Sequence, residues 1–376
     1  MKKFLAIVLA VLTLCAAAGC SSKKEDKSSA AATTATTTEE PTTAPGAQIS
    51  AADSKIRTVL EGLKDMDFSG IIYAERNGKP VATYANGTLT DDTSLTLETP
   101  MPVGSVSKQF CAAAIMLLQE QGKLSVNDTL DKYFPEYKES SKITLHDMLA
   151  NISGIPNFPT DEKDAAELSS QISLDNTDKQ NTEALKKWLF KQPLRHDPGK
   201  TFAYSNNNFI LLGNIVEQVS GKVYIEFLRE SFFKPLGMLH TGSIFELKDS
   251  PDWAKSFHYE PSELRPGIEP GFAKGAGDII STAADMTLWM NMLPSGKILS
   301  KDSYKAMTTS YSGEDYGYGL YTNVGGDGIG HFGAIGHFTS VDCFVPDKKV
   351  TIFVAVNAGG ESAVSNNIYP LLDAIA

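Results

Sequence analysis

The chain is poor in cysteine and in positive charge. Four cysteines in 376 residues (Cys15, Cys20, Cys111 and Cys343) are too few for a disulfide framework, and their spacing fits no zinc pattern. Lys and Arg total 34 against 45 Asp and Glu, a net charge of −11. So acidic a chain is a poor partner for nucleic-acid phosphates or anionic lipid surfaces. Several catalytic signatures are also missing. There is no HExxH and no CxxC, and no serine sits in G-x-S-x-G, which argues against an α/β-hydrolase elbow. Gly199-Lys200-Thr201 has the tail of a phosphate-binding loop, but Leu194 stands where that loop needs glycine, so it reads as a turn. What is present is ordinary: 42% apolar and 21% charged residues, which excludes a mostly disordered chain and a polytopic membrane protein. The length suits two domains or one large one.

The first residues read as an export signal. Lys2 and Lys3 precede a short apolar run, Phe4 to Leu14, and the small residues Ala16-Ala17-Ala18-Gly19 lead to Cys20. The apolar run is too short for a stable spanning helix. Small residues before a cysteine resemble a bacterial lipobox, which implies that Cys20 becomes a lipidated N-terminus and a membrane anchor. Ala17 departs from the leucine usual in that motif, and ordinary cleavage leaving Cys20 a free thiol is the other reading. Ser, Thr, Ala, Lys, Glu and Pro dominate the residues up to 48, a composition that cannot bury enough surface to fold and so reads as a tether. The expected organisation is a signal peptide at 1–19, lipidated Cys20 with its tether over 20–48, and a folded domain over 49–376.

Within that domain the apolar pattern predicts strands near both ends and helices between. Helices are expected over Ala51 to Met66, Ser105 to Gln121, Ile143 to Ala150, Thr182 to Phe190, Asn207 to Val219, Val223 to Phe233 (stopped before Pro235), Ala283 to Leu293 and Ser362 to Ile375. Strands are expected over Gly70 to Glu75 and Pro80 to Tyr84, joined by Asn77-Gly78, and over Tyr318 to Thr322, His337 to Val345 and Val350 to Asn357. The economical arrangement is an α+β (α/β-type) fold. An antiparallel sheet is built from both termini and flanked by helices (about 49–122 and 276–376), with an all-helical part inserted at about 123–275.

Three short patterns carry chemistry. Ser105-Val-Ser-Lys108 opens a helix, where residues three apart share a face, so Lys108 reaches the Ser105 hydroxyl. Serine needs such a base, and burial or a helix N-terminus lowers a lysine pKa enough for it to serve. The same helix start offers N–H groups to an oxyanion. Tyr204-Ser-Asn206 follows in the helical middle, and Gly330-His331-Phe332-Gly333-Ala334 precedes the last strands. Each is weak alone: Ser-x-x-Lys recurs at Ser21–Lys24 and Ser231–Lys234, and Tyr-x-Asn at Tyr84–Asn86 and Tyr321–Asn323.

In this order, however, the three resemble the penicillin-recognising serine hydrolases, in the branch of class C β-lactamases, DD-carboxypeptidases and related esterases. Over about residues 50–376 further stretches are similar, among them Phe68-Ser-Gly-Ile-Ile, Ser153-Gly-Ile-Pro-Asn-Phe, Lys234-Pro-Leu-Gly-Met, Ser281-Thr-Ala-Ala-Asp-Met and Val345-Pro-Asp-Lys. The resemblance implies a β-lactamase/transpeptidase-like fold and an extracytoplasmic hydrolase working through an acyl-enzyme, without metal or cofactor. Ser105 matches the nucleophile, Lys108 its base, Tyr204 the proton relay and Asn206 an amide touching Lys108 and substrate. His331 takes the third-motif position, Gly333 belongs to that motif, and Ala334 with Ser105 supplies the oxyanion N–H groups.

Some positions depart from the family. Phe332 replaces the threonine whose hydroxyl binds a substrate carboxylate, Gly336-His337 replaces a common Pro-Gly, and Asn151 stands where many relatives have histidine. The expected substrate is a small molecule or peptidoglycan-derived peptide, an amide, an ester or a β-lactam. The Phe332 change favours uncharged ones, unless a protonated His331 or Arg265 attracts an anion. A penicillin-binding or sensing module that deacylates slowly is the alternative. Cys111 and Cys343 read as buried free thiols, with a bridge between them the other option. Oligomeric state is not legible.

Overall fold

The structure is a computed structural model that describes residues 47–64, 68–90, 93–159, 162–172, 176–249, 274–336, 338–357 and 369–375. The chain divides into residues 1–44 and 45–376, and all described residues belong to the second unit. The expected signal peptide, Cys20 and the tether up to residue 46 lie outside the described residues, as do Arg265, His337 and the first part of the expected last helix.

Seven antiparallel strands form the main sheet. In chain order they are β1 (Gln48–Ala51), β2 (Gly70–Arg76), β3 (Lys79–Asn86) and, far along the chain, β7 (Tyr321–Val324), β8 (Gly328–Ile335), β9 (Phe338–Val345) and β10 (Val350–Val356). Their order across the sheet is β1-β3-β2-β10-β9-β8-β7, so the two ends of the domain meet where β2 pairs with β10. The β2–β3 turn is made by Asn77 and Gly78, with φ of 54° and 69°, the left-handed pair that a tight hairpin requires. A smaller sheet sets β4 (Met101–Pro102) and β5 (Gly242–Ser243) on either side of β6 (Ile279–Ser281).

Helix α1 (Ser54–Gly62) lies next to β1. Helix α2 (Lys108–Glu120) is buried from Lys108 to Met116. Its Ala112-Ala113-Ala114 run keeps it slim, and Phe110 packs against Trp289 and Phe233 at ring separations of 4.3 and 5.5 Å. Around it lie α3 (Leu145–Leu149), α4 (Asp178–Leu189), α5 (Asn206–Ser220) and α6 (Ala283–Met292), so one continuous core joins sheet and helices.

Among the boundaries that differ from the sequence expectation, three have a clear physical cause. The first helix starts at Ser54 rather than Ala51, because Gln48–Ala51 pairs with β3 and Asp53 caps the helix by accepting the Lys55 and Ile56 amides. The strand expected from Tyr318 starts only at Tyr321. Gly319 (φ 69°) crosses α2 so closely that a Cβ there would stand 2.6 Å from the Lys108 carbonyl oxygen. The helical run from Tyr224 continues through Pro235 to Leu236. A wider turn over Arg229–Phe233 comes just before the proline, which has no amide to donate.

Candidate active site

Ser105 sits in the short 3₁₀ turn Gly104–Ser107 that leads into α2. The turn is tied down on both sides. Val103 N–H donates to Ile279 O at 3.0 Å, Ile279 N–H donates to Ser107 Oγ at 3.0 Å, and Ser340 Oγ donates to Val103 O at 2.8 Å.

Lys108, the first residue of α2, is fully buried. Its Nζ lies 3.0 Å from Ser105 Oγ, 2.8 Å from Asn206 Oδ1 and 2.6 Å from Ala276 O. Burial pushes its pKa well below the usual lysine range, against a smaller opposing pull from Asp278. A neutral amine has two N–H donors and one lone pair. Two N–H groups serve Asn206 and Ala276, and the lone pair is left for the Ser105 proton. The spacing that suggested a base therefore comes with the environment a base needs.

Tyr204 approaches from the loop before α5, with its ring 4.9 Å from Lys108 Nζ and its hydroxyl bonded to Ser105. Burial, and after it Tyr321, push the phenol well above its ordinary pKa, and the Ser105 bond opposes them only in part, so Tyr204 is a neutral hydroxyl. The loop is held by side chains whose role the sequence did not show. Asn151, at φ 55°, accepts from Ser205 N at 3.1 Å and Asn208 Nδ2 at 2.9 Å. Asn157 accepts from Asn206 N at 3.0 Å. The signal for Asn151 was its tolerance of left-handed backbone.

The third motif lies inside β8, not ahead of a strand as expected. His331 is buried, and its Nδ1 faces its neighbour's carbonyl, Phe332 O, at 2.5 Å. Nδ1 must therefore carry the proton, and Nε2 accepts from Tyr316 Oη at 3.2 Å. Burial, and then Lys108, lower the His331 pKa to about 3. The expectation that a protonated His331 attracts an anion is thus overturned: the ring is neutral at physiological pH. It lies beside Tyr204, with ring centres 6.2 Å apart, and its described hydrogen bonds run to Tyr316 and Phe332.

Gly333 permits a close approach. A Cβ there would stand 1.9 Å from Val103 O and 2.6 Å from Ser340 Oγ. Gly104 (φ 51°) does the same from the other side, where a Cβ would stand 2.6 Å from Ala334 N. His331 N–H points to Asp342 on β9, at 2.8 Å from Oδ1. Amide directions alternate along a strand, so Ala334 N–H points to the opposite edge, where β7 pairs only with Gly328 and Gly330. Ala334 is exposed there, beside the Ser105 turn. Phe332 shares that strand face, half-buried and 6.2 Å from the Tyr321 ring.

Asp342, unnoticed in the sequence, is fully buried and accepts from Gln109 Nε2 at 2.8 Å on both oxygens. Burial raises its pKa to about 7. Cys111 and Cys343 are both buried free thiols, which removes the bridge left open above.

A serine beside a buried lysine, and a strand edge with no pairing partner at Ala334 among the described residues, fit a serine acyl-transfer and hydrolase superfamily on this fold. Residues 57–374 match the family model described as Beta-lactamase, and the chain belongs to that family. PbpX of Bacillus subtilis (strain 168), named as a penicillin-binding protein, is 29% identical over 334 residues, which cover 87% of this chain and 80% of PbpX. Protein flp of Staphylococcus aureus (strain MRSA252) is 26% identical across 70% of this chain, which spans about half (54%) of flp's length. Among solved structures, D-amino acid amidase from Ochrobactrum anthropi SV3 superposes with a TM-score of 0.69 at 21% identity, over 85% of this chain and 98% of the amidase. That last likeness is one of fold.

Proposed function

We propose that the chain is an extracytoplasmic serine hydrolase acting through an acyl-enzyme on a peptide, amide or ester. The observation that carries this reading is the buried Lys108 Nζ, 3.0 Å from Ser105 Oγ, with its pKa lowered by burial. Lys108 takes the Ser105 proton as Oγ attacks the substrate carbonyl. The N–H groups of Ser105 and Ala334 hold the oxyanion. The Tyr204 hydroxyl, bonded to Ser105, passes the proton to the leaving group, and the reverse transfer activates water for deacylation. Mass mapping of the domain treated with a fluorophosphonate probe tests this. Label is expected on Ser105 and absent from Ser105→Ala, and label on another residue would refute it.

Phe332, in the position of a carboxylate-binding threonine, supports uncharged substrates over β-lactams. The amidase fold likeness agrees with amide chemistry. The name of PbpX favours a second reading, a penicillin-binding module that deacylates slowly. Turnover of a short p-nitrophenyl ester separates the two: steady release beyond the first equivalent for an enzyme, a single-equivalent burst for a receptor. The pattern Ala18-Gly19-Cys20 supports a lipid anchor that holds the domain outside the cytoplasmic membrane. Cys20→Ser should release the protein from the detergent phase with turnover unchanged, and an unmodified native N-terminus would contradict the anchor.

A further inference from the structure

The third partner of Lys108 Nζ is a backbone carbonyl, Ala276 O, at 2.6 Å. It belongs to the turn over residues 274–277 that precedes β6. Gly275 in this turn, at φ 71°, fits so tightly that a Cβ would stand 2.6 Å from Phe209 O and 3.2 Å from Cys111 Sγ. The buried Asp278 closes the turn: its Oδ1 accepts from Gly275 N at 3.0 Å, and its Oδ2 accepts from Ser243 Oγ on β5 at 3.3 Å. Ala276 lies between the two ends of that closure.

We propose that Asp278 is a positioning residue for the catalytic base, its carboxylate fixing the turn that presents Ala276 O to Lys108 Nζ and standing near the amine as a buried counter-charge. The inference rests on the serine-hydrolase reading above and adds a control on the state of its base.

Among the described residues, the titratable groups coupled electrostatically to Asp278 are Lys108 and Cys111 from α2, Tyr224 from the helix Tyr224–Leu228, Lys274 from its own turn and Asp178 from α4. Burial keeps Cys111 and Tyr224 protonated at neutral pH, so neither carries charge. Lys274 is engaged by Asp178 at 2.5 Å and Glu217 at 2.8 Å. Among the described residues, Asp278 is thus the group whose charge bears on Lys108 and changes near neutrality. Burial, and after it Asp178, raise its pKa to about 7. Ionised, it holds the Lys108 proton; neutral, it lets that proton go. The two groups titrate as a coupled pair.

The test is the pH dependence of the rate at which the fluorophosphonate probe phosphonylates Ser105, with loss of fluoride, in wild type and in Asp278→Asn. The amide keeps an acceptor for Gly275 N–H and removes the charge. The acid limb of the profile is expected to move to lower pH by about one unit, because Lys108 then loses its proton more easily. Ser243→Ala removes one donor to the carboxylate, so Asp278 stays neutral to higher pH, and the limb moves the same way by less. It carries the test alone if Asp278→Asn does not fold. A purely structural role lowers the rate at every pH and leaves the limb in place. That outcome, or superimposable profiles, overturns the proposal while the wild type is still labelled at Ser105. A wild type that is never labelled overturns both this inference and the hydrolase reading.

Discussion

The two flanks of Ser105 are built from different materials. On the flank proposed to handle protons the groups are side chains: Lys108 from α2, Tyr204 from the loop before α5 and Asn206 from its first turn, each buried or half-buried and each bonded to another. On the flank proposed to hold the oxyanion the group is backbone, the Ala334 amide on β8, with Gly104 and Gly333 allowing the close approach around it. The contrast shows where substitutions hurt. The first flank fails when a functional group is removed, the second when an atom is added.

The largest effect should follow a loss on the proton flank. Lys108→Ala is expected to lower the Ser105 acylation rate by about 10⁴-fold, the upper range for a general base, in burst kinetics with a short acyl ester. A loss under tenfold would mean that another group takes the proton. Gly333→Ala probes the other flank by addition. Its methyl meets Val103 O, forcing β8 away from the Ser105 turn, and kcat is expected to fall by about 10²-fold as one oxyanion donor is displaced. An undisturbed kcat would mean that Ala334 N–H is not that donor.

Phe332→Thr is smaller and acts on choice rather than speed. The ratio of kcat/KM for nitrocefin to that for a p-nitrophenyl ester should rise by about tenfold, and an unchanged ratio would separate Phe332 from specificity. The smallest effect belongs to Tyr316→Phe. It removes the donor to a neutral His331 and should cost about 1 kcal/mol in thermal unfolding with kcat within a few-fold of wild type. A large fall in kcat would make the Tyr316–His331 pair part of the proton path.

The same contrast explains what could be read in advance. The proton flank was legible because its chemistry is spelled in side chains at short spacings, Ser105 to Lys108 and Tyr204 to Asn206. The alternation of sheet and helix was legible too, since apolar periodicity reports the buried face directly. Asn151, Asp278 and Asp342 were not read as site residues, because a lone Asn or Asp looks the same in a sequence whether it caps a surface turn or lies at 2% exposure or less. His331 was found, but its charge was left open: only the packing of Tyr316, Tyr321 and Tyr204 around the ring shows how dry it is. The start of β7 was displaced by Gly319, whose tight approach to Lys108 leaves no trace in hydropathy.

The pairing of β2 with β10 has a consequence for how the chain comes to be folded. Gly70 faces Val356 and Arg76 faces Val350, so the middle of the sheet joins residues from nearly opposite ends of the domain. Such a contact must wait for the closure of a very long loop, which makes the central pairing late and slow. A chain stopped before Val350 lacks the strand that stands between β2 and β9, and two inner strands become sticky open edges. Truncation should therefore be sharply asymmetric: removal of everything ahead of Ala47 leaves every described strand intact, whereas loss of the last thirty or so residues should yield an aggregating, protease-sensitive product.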